Sequence, residues 1–342
     1  MSRARSILDV VAALLLVHGT AVVVRAAGPE DALAAAHDPL AAPSASGCGE
    51  CGGEFVWCIP VSCGWTASAG AIILHRSTAR RAPLVEDGTT DDELVNVADF
   101  DLGFAAGPRV ELARRFDSCW EIGLAHFSVD DWSAARELSD PGNLRVPLVS
   151  DSPNDYFDTA AAEYESQLYS TELNLKRRWT DQIRLLAGFR WVELHEAIAA
   201  EASSPDLEGS FDARTGNYLY GFQLGADAML WDRGGPLNID GFLKAGIYGT
   251  HTRASLRGQG TYFEFEGTAA NGRTSFLGEI GLSANYRLTE HWSLFGGYEV
   301  LWVEGVALAA DTVAAISGGD ANDLWSGDAF YHGALTGVSL TW

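Results

Sequence analysis

Methionine and positive charge are both scarce in this chain. Its 342 residues include 2 Met, and 23 Lys and Arg stand against 46 Asp and Glu, leaving a formal net charge of −23. The few cations form no cluster, so the basic surface that nucleic acid requires is excluded. Long apolar runs are equally rare. Only Ile7–Val24 approaches the ~18 apolar residues of a spanning helix, and Asp9 and His18-Gly19-Thr20 interrupt it. A chain without further spanning helices enters a membrane only as a closed barrel, the one other form that satisfies every backbone group in lipid. Motifs of chemistry are missing too. There is no Gly-x-Ser-x-Gly nucleophile elbow and no Asp-x-Asp-x-Asp-Gly calcium loop, so no enzyme activity, cofactor or metal is expected.

What is present begins with an export signal. Arg3 and Arg5 precede the apolar stretch, and Ala26, Ala27 and Gly28 supply small residues for cleavage, which assigns residues 1–27 to a signal peptide. Residues 28–64 form a lead rich in Cys, Gly and Pro. Its Cys48, Cys51, Cys58 and Cys63 suit disulfides in an oxidising compartment better than a zinc site, while Cys119 reads as a lone apolar filler. From residue 65 to 342 the chain alternates.

The alternating segments are Trp65–His75, Ala98–Phe116, Cys119–Asp131, Tyr164–Trp179, Ile183–Ala200, Arg214–Trp231, Leu237–Ala254, Arg273–Leu288, Trp292–Ala309 and Ala329–Trp342. Connections after even-numbered segments are short, and those after odd-numbered segments are long. A soluble sandwich has no reason to sort loops by parity, whereas an outer-membrane barrel does. The fold expected is therefore all-β, an antiparallel up-and-down transmembrane β-barrel of about ten strands, within a range of eight to twelve. Its long loops lie outside and its short turns face the periplasm. The chain ends on Trp342, and such a terminal aromatic suits the signal read by the barrel-assembly machinery.

Each segment has one apolar row for lipid and one polar row for the lumen. The lumen rows hold Arg109, Glu111, Glu121, Glu172, Lys176, Arg184, Arg190, Asp227, Asp240, Lys244, Glu279, Arg287 and Glu299. Both signs occur, so these groups form either an ion-pair network that fills the interior or a selectivity filter. The three-residue turn Thr180–Gln182 places Glu172 opposite Arg190.

Gly188-Phe189-Arg190-Trp191, with the earlier Gly107-Pro108-Arg109, resembles the planctomycete outer-membrane β-barrel family, which is similar to the Legionella-type pore-forming outer-membrane proteins. The resemblance spans about Trp65 to Trp342 and implies an outer-membrane barrel with a pore role and no catalytic residues. The resulting expectation is a small porin-like or structural surface protein in contact with outer-membrane lipid, open to small solutes or to a surface partner. Two alternatives stand beside it. Acid concentrated in the outer connections suits an adhesin, and Asp130-Asp131, His195-Glu196 and His251 suit an omptin-like hydrolase at the barrel rim.

Overall fold

The period-two patterning is realised as long antiparallel strands in the computed structural model, which describes residues 64–77, 79–117, 119–150, 155–262, 264–316 and 327–342. Residues 1–27, read as a signal peptide, the lead up to residue 63 and the cysteines Cys48, Cys51, Cys58 and Cys63 lie outside the described residues. In chain order the strands are β1 (Gly64–Arg76), β2 (Pro83–Asp87), β3 (Glu93–Asn96), β4 (Phe104–Arg115), β5 (Trp120–Arg145), β6 (Phe157–Arg178), β7 (Ile183–Ser203), β8 (Glu208–Asp232), β9 (Leu237–Gly260), β10 (Glu264–Arg287), β11 (Trp292–Val306) and β12 (Gly327–Thr341), with helix α1 (Ala309–Ile316) between the last two.

Ten of these strands close a ring. β1 and β4 to β12 pair with their neighbours in chain order, and β1 pairs with β12 from Thr66↔Thr341 to Arg76↔Tyr331. Trp342 completes the seam, its N–H donating to the Trp65 carbonyl at 3.0 Å and its own carbonyl accepting from Trp65 N–H at 2.8 Å. The short hairpin β2–β3 is additional and leans on the outer end of β5.

The lipid face is legible on β8. Tyr220, Phe222, Leu224 and Leu230 point outward and are 50, 77, 70 and 58% exposed, a degree of apolar exposure that water does not tolerate in a contiguous row. From Tyr220 to Leu230 the strand advances about 33 Å, or about 25 Å along the normal at a barrel tilt of 35–45°. That is the height of an outer-membrane apolar band. The barrel spans a bilayer.

Above that band the two faces exchange character. On β7 the outward row runs Ile183, Leu185, Ala187, Phe189 and Trp191, and then turns polar at Glu193 and His195. The inward row begins with Arg184 and Arg190 and becomes apolar at Val192, Leu194 and Ile198, all buried. One strand is therefore a membrane strand below Trp191 and a water-soluble strand above it. The buried apolar residues of the outer half form one core, which includes Ile72, Leu74, Phe127, Val129, Trp132, Tyr164 and Leu168. Leu84, Val97 and Phe100 from the β2–β3 region and Ala309, Ala310 and Val313 of α1 pack into the same core.

Two expectations are revised. Residues 132–163, 201–213 and 255–272, read as long loops, are mostly strand, because β5 to β10 continue as paired hairpins beyond the membrane. Alternation of the membrane kind ends where lipid ends, but hydrogen-bonded pairing does not. Cys119 is no lone filler: it is disulfide-bonded, as suits a thiol in an oxidising compartment, and its partner lies outside the described residues.

Candidate functional site

The lumen is the place where this chain concentrates polar chemistry against its own surroundings. Because each strand alternates, every second residue of the membrane half points inward, and the sites at which small residues occur decide how far long side chains reach. Gly188 illustrates this. A Cβ there would stand 2.0 Å from Asn174 Oδ1, so glycine leaves the space that Asn174 and its neighbour Glu172 occupy. Gly107 has a similar role against backbone, since a Cβ would lie 1.6 Å from the Ser128 carbonyl oxygen.

The inward rows carry the charged residues in two tiers. In the upper tier, β6 and β7 pair in the register Glu172↔Arg190, the one that the three-residue turn implies. Arg190 is fully buried. Its Nη1 lies 2.5 Å from Glu279 Oε2 and 3.4 Å from Glu172 Oε1, and its Nε donates to Ser170 Oγ at 2.9 Å. Lys244 Nζ bridges the same two carboxylates at 3.0 Å from Glu172 and 2.9 Å from Glu279. Arg109 Nη1 donates to Glu299 Oε2 at 3.2 Å. Three cations thus meet three carboxylates, and Asn174 and Gln223 each donate to Glu172 Oε2 at 2.8 Å. Tyr248 caps the group by donating to Gln223 Oε1 at 3.3 Å.

The lower tier faces the periplasm. Asp227 meets Lys176 at 2.9 Å and Arg184 at 3.4 Å, and Glu121 meets Arg115 at 3.2 Å. Asp240 accepts from Asn285 Nδ2 at 2.9 Å. These groups line a vestibule of about 240 Å³. Glu111 is half-buried on its inward row, and Arg287 stands exposed at the rim, where its guanidinium donates to the Gly235 carbonyl at 3.3 Å.

Above the upper tier the inward-facing residues are mostly apolar and buried. Arg76 and Glu196 form a buried ion pair within the apolar core, and Glu196 Oε2 also accepts from the Ala309 N–H at 3.1 Å. Asn217 holds the segment leading into α1 at two points, donating to the Ala307 carbonyl at 2.7 Å and accepting from Ala307 N–H at 2.8 Å. Sequence reading missed Arg76, Asn217, Gln223 and Tyr248. Arg76 and Glu196 had a signal, since each shares strand parity with buried apolar neighbours. For Asn217 there was none, because its partner lies 90 residues away.

The rim residues weighed for hydrolysis do not converge. His195 lies on the outer face beside Glu193 at 3.2 Å, whereas Glu196 points into the core. His251, paired with Tyr218 on β8, shares the outer face with His195 but sits two strands away, and Asp130 and Asp131 are exposed at a bulge in β5. Among the described residues no group of three or more His, Cys, Asp or Glu stands close enough to hold a metal ion.

Among solved structures the chain is similar to the outer membrane protease OmpT from Escherichia coli (11% identity, 82% of this chain and 99% of that one, TM-score 0.45). It is also similar to the translocator domain of autotransporter NalP from Neisseria meningitidis (10%, 82% and 89%, 0.39) and to the Pseudomonas putida toluene transporter TodX (9%, 81% and 89%, 0.33). All three scores lie below 0.5 and say nothing of this chain's activity. No curated protein matches it. The family described as Putative beta barrel porin-7 (BBP7) matches residues 153–323, half of the chain and the part that carries Glu172, Arg190, Lys244 and Glu279, and the chain belongs to that β-barrel porin family.

Proposed function

We propose that this porin-family barrel of the bacterial outer membrane stands closed, a structural and surface-displaying barrel whose lumen is filled. One observation carries the reading: the charge-balanced tier of Arg109, Glu172, Arg190, Lys244, Glu279 and Glu299 lies directly below a packed apolar core that includes α1. A solute entering from the periplasm meets cations and carboxylates already paired with one another, and then buried apolar side chains in mutual contact. Planar bilayers test this. Inserted wild-type protein is expected to show no unitary conductance steps, and steady steps at verified insertion would overturn the proposal. No chemical reaction is assigned to the barrel.

A second reading is supported by the outer hairpins. Their tips enclose a cleft of about 1140 Å³ lined by Glu137, Ser139, Glu201, Asp206, Glu208 and Gln259, a polar and acidic surface facing the medium. It suits a cationic surface partner. Cells displaying the barrel should adhere to a polylysine-coated support more strongly than cells displaying Glu137→Lys with Glu201→Lys, and equal adhesion counts against the reading. We further assign Trp342 to recognition by the barrel-assembly machinery, so Trp342→Ala should lower the yield of inserted barrel. The finer kinship with planctomycete and Legionella-type proteins rests on Gly107–Arg109 and Gly188–Trp191.

A further inference from the structure

The outer wall at the periplasmic end of β4, β5 and β6 carries cations where an acidic chain has few. Val110 and Leu112 on β4, Ile122 and Leu124 on β5, and Leu173 and Leu175 on β6 form the lipid-facing rows there. One step below these rows the outward residues are Arg114, Trp120 and Arg177, which places them at headgroup level. Trp65 is the cross-strand partner of Arg114, and Trp120 that of Arg177. The Arg114 guanidinium lies 5.1 Å from the Trp65 ring and 5.5 Å from Phe116, and that of Arg177 lies 5.2 Å from Trp120.

Stacking fixes a guanidinium by its face and leaves its N–H edge available for a phosphate. Among the described residues neither Arg114 nor Arg177 meets a carboxylate, in contrast to Arg115, which turns inward to Glu121 at 3.2 Å. The carboxylate of the adjoining turn, Asp117, is held by the backbone N–H groups of Cys119 and Trp120, each at 2.7 Å. In register, Ile122 is opposite both Arg114 and Leu175, so Arg177 lies two strands across and two residues further down. That separates the two Cα atoms by about 12 Å, a distance that two long side chains span.

We infer that Arg114 and Arg177, stacked on Trp65, Phe116 and Trp120, form a binding site for an anionic phospholipid of the periplasmic leaflet. The phosphate accepts from the two guanidinium edges, and the acyl chains lie along the apolar rows above. Two cations with no counter-carboxylate among the described residues favour a headgroup of net negative charge over a zwitterionic one, whose own cation is repelled.

The test is native mass spectrometry of the full chain refolded in detergent, with dioleoylphosphatidylglycerol and dioleoylphosphatidylcholine competing at equal concentration. Wild type is expected to retain one phosphatidylglycerol in preference, by about tenfold. Arg114→Gln with Arg177→Gln should equalise the two lipids while heat-modifiable mobility is unchanged. Arg233→Gln, which removes a cation stacked on Trp231 at the end of β8, should leave the preference intact. Equal retention of both lipids by wild type overturns the site, as does a preference that survives the double variant or is lost equally in Arg233→Gln.

Discussion

Arg190 has no water to turn to. It is surrounded by the barrel wall, so its charge is tolerable only because Glu279 and Ser170 accept its hydrogen bonds and Glu172 adds a second carboxylate at 3.4 Å. Removing one member of such a cluster leaves the others charged and unpaired, which costs about 3–5 kcal/mol. Arg190→Leu should therefore lower the urea midpoint of the barrel in lipid vesicles, and Lys244→Met should do the same, since Glu172 and Glu279 lose a shared cation. An unchanged midpoint in both would show that the tier is not a closed network. Asp311 poses the opposite problem. Burial, and then the nearby Glu196, raise its carboxyl from 3.8 to about 6, with Arg80 opposing the shift. A raised acid favours its protonated form in the folded state, so the penalty of its charge is present above about pH 6 and fades as pH falls towards 3.8. Helix α1 should be better protected from amide exchange at pH 5 than at pH 7.5, and Asp311→Asn should remove that difference.

At the scale of the element, β7 carries the lesson. Its membrane half was legible because lipid demands an unbroken apolar row, and Ile183 to Trp191 supply one. Its outer half was not legible as the same strand. There the outward row turns polar while the inward row turns apolar, so a reader following one face sees the pattern dissolve at Glu193-Leu194-His195-Glu196. Glu196 consequently looked like a rim carboxylate, although its even parity, shared with Arg190, points it inward. The same inversion concealed the outer lengths of β5 and β6 in the supposed loop 132–163. Helix α1 was also hidden, because its docking depends on Asn217 rather than on any local motif. Asn217→Ala would leave the Ala307 N–H and carbonyl buried without partners, at about 1–3 kcal/mol each. Exchange protection across Ala310–Val313 should fall while that of the β8 amides is retained; unchanged protection of α1 would show that the clamp is dispensable.

At the scale of the whole molecule, the upper lumen tier contributes nothing to the net charge of −23, because it sets three cations against three carboxylates. Bilayer placement follows from the same division of faces. Trp191 lies 50% exposed in the apolar band, whereas Trp132 is 1% exposed in the core, with its Nε1 donating to the Leu74 carbonyl at 3.1 Å. In single-tryptophan variants, brominated lipid should quench Trp191 strongly and Trp132 hardly at all; equal quenching would place the membrane elsewhere.

The sequence by itself determined the barrel, its parity and the Glu172↔Arg190 register, because alternation and a short turn are local properties of neighbouring strands. Only the tertiary structure decided what the lumen does. Arg190 finds Glu279 89 residues along the chain, and Arg109 finds Glu299 190 residues along. Alternation states that a side chain points inward, but closure of ten strands into a ring determines which charge it meets there and whether an apolar core seals the space above.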